Sequence, residues 1–134
     1  MITFFEKESK LSWFIVIVIA VMIFWLSSLT FGPGAGGTNF LSVLYHFFAF
    51  FFLSAFLLIA LVKGREKYLI FILAIFIAIV YGISDEFHQY FVPGRSSSVG
   101  DVFVDTAGIM MASLIYFVRL KVGNFINSKK SIKL

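Results

Sequence analysis

Cysteine is absent from the 134 residues, which excludes disulfides and thiolate metal sites and leaves the redox compartment unmarked. Charge is scarce as well, with only 13% of the chain Asp, Glu, Lys or Arg. There is no internal repeat of supersecondary size. The H-E-x-x-H spacing of a metal helix and the G-x-S-x-G elbow of a nucleophilic serine are also missing.

What fills the chain instead is hydrocarbon. Hydrophobic residues make up 60% of it, with 19 phenylalanines and a strongly positive mean hydropathy, far from the composition of a soluble globular domain. The chain reads as an all-α integral membrane protein in one domain, 1–134, with room for four spans of roughly 20 residues each and short loops. Expected spans are 11–31, 41–62, 68–91 and 98–120. The first follows Lys7 and Lys10 as a signal peptide would, yet it is longer than a typical signal core and lacks an A-x-A site. A retained span is the expectation.

Lys and Arg number two before the first span, none in the loop 32–39, three in 63–67, one in the third loop and five from Arg119 onward. Ten of the eleven thus fall on one side, which by the positive-inside rule puts both termini in the cytoplasm of a cell membrane. The net charge of +4 therefore reflects topology, and a nucleic-acid partner is not expected. Arg95 is the one basic residue on the disfavoured, outer side.

Four of the seven carboxylates, Asp85, Glu86, Asp101 and Asp105, stand within or beside the last two apolar runs. Ionisable groups in a span are costly and usually functional. Counted from the cytoplasmic ends at ~1.5 Å per residue, Ser27, His46, Asp85, Asp101 and Asp105 rise by about 22 to 28 Å, so four helices place polar residues in one outer layer. Asp85, His88 and Gln89 share a face at i, i+3, i+4, with Glu86 about a quarter turn away. Asp101, Asp105, Gly108 and Ala112 form a second face, whose small residues permit close helix contact. Ser98-x-x-Asp101 also fits a capping box.

These residues resemble the VanZ-like membrane proteins: Asp85-Glu-x-His-Gln89, Pro93-Gly-Arg95, Asp101, Asp105-x-x-Gly108, and His46 early in the second span. Asp105 stands where that family often has asparagine. The family takes its name from a protein associated with teicoplanin resistance, so the resemblance implies an envelope role of that kind and no settled reaction.

Several chemistries fit the cluster. In the first, it binds the headgroup of an amphiphile, a membrane lipid, lipid-linked wall precursor or lipoglycopeptide, through His46, Asp85, Glu86, His88, Gln89, Arg95, Asp101 and Asp105, with Ser96 to Ser98 adding hydrogen bonds. Arg95 would pair with phosphate or carboxylate, held by Asp85 and Asp101. In the second, an intramembrane enzyme, a divalent metal on His46, Asp85, Glu86, His88 and Asp101 activates water. An ion pathway is a third reading, although the inner halves of the spans carry few polar groups. A purely structural clasp, with Arg95 bridging the third and fourth spans, is the fourth. No catalytic residue and no resident cofactor is assigned, and a homo-oligomer is compatible with the sequence.

Overall fold

A computed structural model describes residues 2–30, 40–95 and 97–132. The expected loop 32–39, Phe31 at the expected end of the first span, Ser96 and Lys133 lie outside them. The described chain is all-α: α1 (Ile2–Lys7), α2 (Ser9–Ser27), α3 (Phe40–Val62), α4 (Tyr68–Tyr90) and α5 (Val99–Ile132). Helices α2 to α5 are each long and apolar enough to cross a membrane. In hydrocarbon a backbone must satisfy its own hydrogen bonds, so continuous helix is the conformation such runs adopt.

Three boundaries differ from expectation. Helix α2 starts at Ser9 and ends at Ser27, with the Ser28 hydroxyl donating back to the Phe24 carbonyl at 2.7 Å. Helix α5 does not stop at Leu120 but runs to Ile132, 34 residues, while its apolar part ends at Ile126. Lys121 does not break it. Its ammonium reaches Glu66 at 3.0 Å and the Tyr68 hydroxyl at 2.6 Å, leaving the aliphatic stem on the helix. Finally, the short α1 precedes the first span, where only a charged flank was expected.

Helix α3 is the centre of the bundle and touches every other helix, whereas α2 and α5 flank it without meeting each other. Its face of Phe50, Leu53, Leu57 and Leu58 is buried, while Phe48 and Phe52 are exposed where lipid would lie. The stripe Asp101, Asp105, Gly108, Ala112 is the buried face of α5 as expected, and continues through Tyr116 and Leu120. At Gly108 the helices come so close that a Cβ would sit 2.3 Å from the Phe47 carbonyl oxygen. Helix α4 turns Ala74, Ala78 and Gly82 inward below its acidic end.

At the end of the bundle away from the acidic residues, α1 is tied down by charge. Glu6 Oε1 accepts from the Tyr116 hydroxyl at 2.9 Å and from Arg119 Nη1, and its Oε2 accepts from Arg119 Nη2 at 2.8 Å. The Tyr116 oxygen in turn accepts the Gly64 N–H at 3.0 Å, at a turn where Gly64 has φ +68°. Phe5 packs edge-on against Phe56. Hydrogen bonds to charged groups contribute about 1.5–3 kcal/mol, so Glu6→Gln is expected to lower stability by about 1–2 kcal/mol and to expose the N-terminal residues. Thermal unfolding and limited proteolysis in detergent check this. Unchanged cleavage near residue 8 would show that packing alone holds α1.

Candidate functional site

The site lies at the opposite end, where α2, α3, α4 and the start of α5 converge. His46, Asp85, Glu86, Asp101 and Asp105 are each 4% exposed or less, and Gln89 and Ser27 are buried beside them. Two chains of hydrogen bonds join these elements. The Ser27 hydroxyl donates to Asp85 Oδ1 at 2.6 Å, tying α2 to α4. His46 Nδ1 lies 3.0 Å from Asp105 Oδ1, tying α3 to α5, and 3.9 Å from Glu86 Oε1 on α4. Gln89, one turn beyond Asp85, donates to Asp85 Oδ2 at 2.9 Å and to Glu86 Oε1 at 3.2 Å.

The connection between α4 and α5 is shaped by Val92-Pro93-Gly94-Arg95. The Arg95 N–H donates to the Val92 carbonyl at 3.1 Å, and Gly94 has φ +79°. A glycine at positive φ behind a proline is the requirement of a type II turn. Reversal there sends Arg95 back toward α2. Its Nη2 donates to the Leu26 carbonyl at 2.6 Å and its Nε to the Ser27 carbonyl at 3.3 Å, which satisfies carbonyls left over at the helix C-terminus. These bonds tie the turn after α4 to α2, beside the carboxylates with which the sequence grouped Arg95.

Ser98 caps α5, its hydroxyl accepting the Gly100 N–H at 3.0 Å. The reciprocal half of the expected capping box belongs to another helix: the Ser98 N–H donates to Glu86 Oε2 at 3.0 Å. Asp101 is therefore not the acceptor of that N–H, and sits buried in the first turn of α5, where a negative charge suits the helix dipole.

Of the eight expected site residues, His46, Asp85, Glu86, Gln89, Asp101 and Asp105 are buried together, and Arg95 borders them through α2. His88 goes elsewhere. Its ring stacks on Phe24, 4.6 Å between centroids, and Nε2 meets the Ser28 hydroxyl at 2.9 Å. Asp85 turns to α2 and Glu86 to α3 and α5, because α4 packs against all three helices and has two inward directions instead of one.

Tyr45 is the residue that sequence reasoning missed. Its hydroxyl is buried without a hydrogen-bond partner among the described residues, within electrostatic range of Asp85, Arg95 and Asp105. Its ring lines an apolar groove of about 530 Å³ between α2 and α3, walled by Ile19, Met22, Ile23, Phe48 and Phe52. The adjacency of a phenol to His46 in sequence was the available signal.

Chemically, the cluster offers hydrogen-bond acceptors in excess. Four carboxylates face one imidazole, with Arg95 at their border, and Asp105 Oδ2 is buried with no donor among the described residues. Such a group suits a cation, an amine or the hydroxyls of a sugar. His46, Asp85 and Glu86 also present ligand atoms within 4.8 Å of one another, a spacing that one metal ion could close.

A four-span helical membrane protein with an acidic and histidine cluster buried at one end of its bundle is the class that fold and site define. The chain belongs to the VanZ/LLP1 family, whose model matches residues 12–120. No curated protein and no solved structure matches it.

Proposed function

We propose that this cluster binds the polar headgroup of an amphiphilic envelope molecule, a lipid-linked wall precursor or a lipoglycopeptide, and that binding gives a teicoplanin-resistance-like role. The observation that carries the reading is Tyr45. One residue lines an apolar groove wide enough for a hydrocarbon chain and turns an unpartnered hydroxyl toward buried carboxylates. A ligand with an apolar tail and a hydrogen-bonding head satisfies both surfaces at once. Acyl or prenyl chain replaces lipid in the groove at little cost, and the head gains from meeting buried polar groups whose alternative is to stay unpaired.

In this reading the ten-to-one distribution of Lys and Arg sets both termini in the cytoplasm. The cluster then opens just below the external headgroups of the cytoplasmic membrane, where such ligands are presented. Arg95 holds the end of α2 beside the entrance, and Gln89 and Ser27 orient Asp85.

Two measurements test this at matched expression: teicoplanin susceptibility of cells, and binding of a lipid-linked precursor to protein in nanodiscs. A lost hydrogen bond to a charged group is worth about 1.5–3 kcal/mol. Asp85→Asn and Asp101→Asn are accordingly expected to weaken binding by roughly tenfold or more and to abolish any resistance, with Arg95→Ala acting similarly. Wild-type behaviour in all three variants would leave the cluster as a structural clasp, as would variants that lose melting temperature and nothing else.

A further inference from the structure

We infer that His46, Asp85 and Glu86, with Asp105 beside His46, hold a divalent transition-metal ion. Building on the headgroup reading above, this ion would be the contact for the phosphate of the amphiphile.

The argument begins with charge. Asp85, Glu86, Asp101 and Asp105 are all nearly inaccessible to solvent, and His46 is the cationic partner found in their described ion pairs. Removing a carboxylate from water costs several kcal/mol unless it is paired. Even with the Arg95 guanidinium at their border, one imidazolium and one guanidinium leave four carboxylates in excess. A proton on each would remove the charge, but it would also require an acceptor for each new O–H.

Geometry narrows the choice. Three donor atoms, one each from α3 and from successive residues of α4, already lie within 4.8 Å of one another. Ligand distances of about 2.0–2.2 Å set tetrahedral donors about 3.3–3.6 Å apart, so the outermost must approach by about 1–1.5 Å, a movement within the reach of carboxylate rotamers. The second, independent sign is Asp105. One of its oxygens lies against His46 Nδ1, the same nitrogen that faces Glu86, and the other is buried with no donor among the described residues. A buried acceptor without a donor is a group that a cation would pair with.

Around these donors stands a set of groups that would orient metal ligands. Ser27 and Gln89 donate to Asp85, Gln89 and the Ser98 N–H donate to Glu86, and each carboxylate oxygen keeps a further lone pair. Metal sites characteristically fix their ligands through such outer hydrogen bonds. One imidazole among carboxylates, with no thiolate in the chain, suits zinc or manganese. The ion also resolves a chemical tension in the headgroup reading, since a net-acidic pocket repels phosphate and a carboxylate-held divalent ion attracts it.

The test uses full-length protein in nanodiscs, free of any polyhistidine tag, stripped with chelator and re-equilibrated with zinc or manganese alone. About one ion per chain is expected by elemental analysis, with a higher melting temperature than in chelator. His46→Gln, Asp85→Asn and Glu86→Gln are each expected to weaken uptake at least about tenfold, while Glu66→Gln at the far end leaves it unchanged. Wild-type protein that takes up neither ion and melts identically with and without them overturns the inference, and no variant need fold for that result. Equal uptake by all three site variants overturns it too. Precursor binding that persists in chelator overturns the ion as the phosphate contact and leaves the headgroup site standing. Metal uptake without precursor binding supports the ion and removes the proposed ligand.

Discussion

Gly108→Ala is expected to be the most damaging single methyl in the protein. Its new Cβ would meet the Phe47 carbonyl oxygen at 2.3 Å and the Phe51 nitrogen at 3.1 Å, both backbone atoms of α3 that cannot swing aside as a side chain would. The whole α3–α5 seam must separate to admit it. Overpacking a well-filled interior typically costs about 1–3 kcal/mol, and a backbone clash belongs at or above the top of that range. Because the same seam aligns His46 with Asp105, separation should also undo the site. Gly123→Ala is the control. Nothing lies within 4 Å of its new Cβ, and alanine is favoured over glycine in a helix by about 0.8–1.0 kcal/mol. Thermal unfolding of both variants in one detergent is the measurement. Equal melting temperatures would mean that the helices are not in contact at Gly108.

His46→Ala carries the second large effect. In chelator-treated protein it removes the imidazole from between Asp105 and Glu86 and leaves both carboxylates buried. Breaking one side of a buried pair costs about 3–5 kcal/mol, whereas replacing both sides with apolar groups of similar volume is often neutral. The double variant His46→Phe/Asp105→Leu is therefore expected to recover about half of the loss or more. A double variant that is additive with the two single ones would show that the 3.0 Å contact contributes no coupling.

Much of this was legible because a bilayer imposes strong rules on sequence. A run without charges long enough to span must be a helix, and the second and third spans, expected at 41–62 and 68–91, are α3 at Phe40–Val62 and α4 at Tyr68–Tyr90. Rise per residue is constant, so depth could be counted along each helix separately. Ser27 meeting Asp85, and His46 meeting Asp105, follow from equal depth. The inward face of α5 was legible from its four-residue spacing of acidic and small residues.

Less legible were features set by two elements together. Six residues of α1 carry too little periodicity to stand out, and their helix depends on Arg119 and Tyr116, more than a hundred positions away. Arg95 stood out as the lone cation on its side, but its bonds to the carbonyls of α2 depend on a type II turn that reverses the chain toward a helix distant in sequence. The capping pattern at Ser98 is completed from another helix, since Glu86 of α4 reaches the N–H that Asp101 would take in a local capping box.

By itself the sequence determined the solvent, the number of apolar helices and the level at which their polar residues stand, because these depend on composition and on a fixed rise along one helix. Tertiary structure alone decided which groups pair: Glu86 with His46 and the Ser98 N–H, His88 with Phe24 and Ser28, and Tyr45 with the groove. Helical spacing gives a residue's direction relative to its own axis only. The rotation of each axis against its neighbours is set by where backbones can approach, and here that is the contact of Gly108 with Phe47.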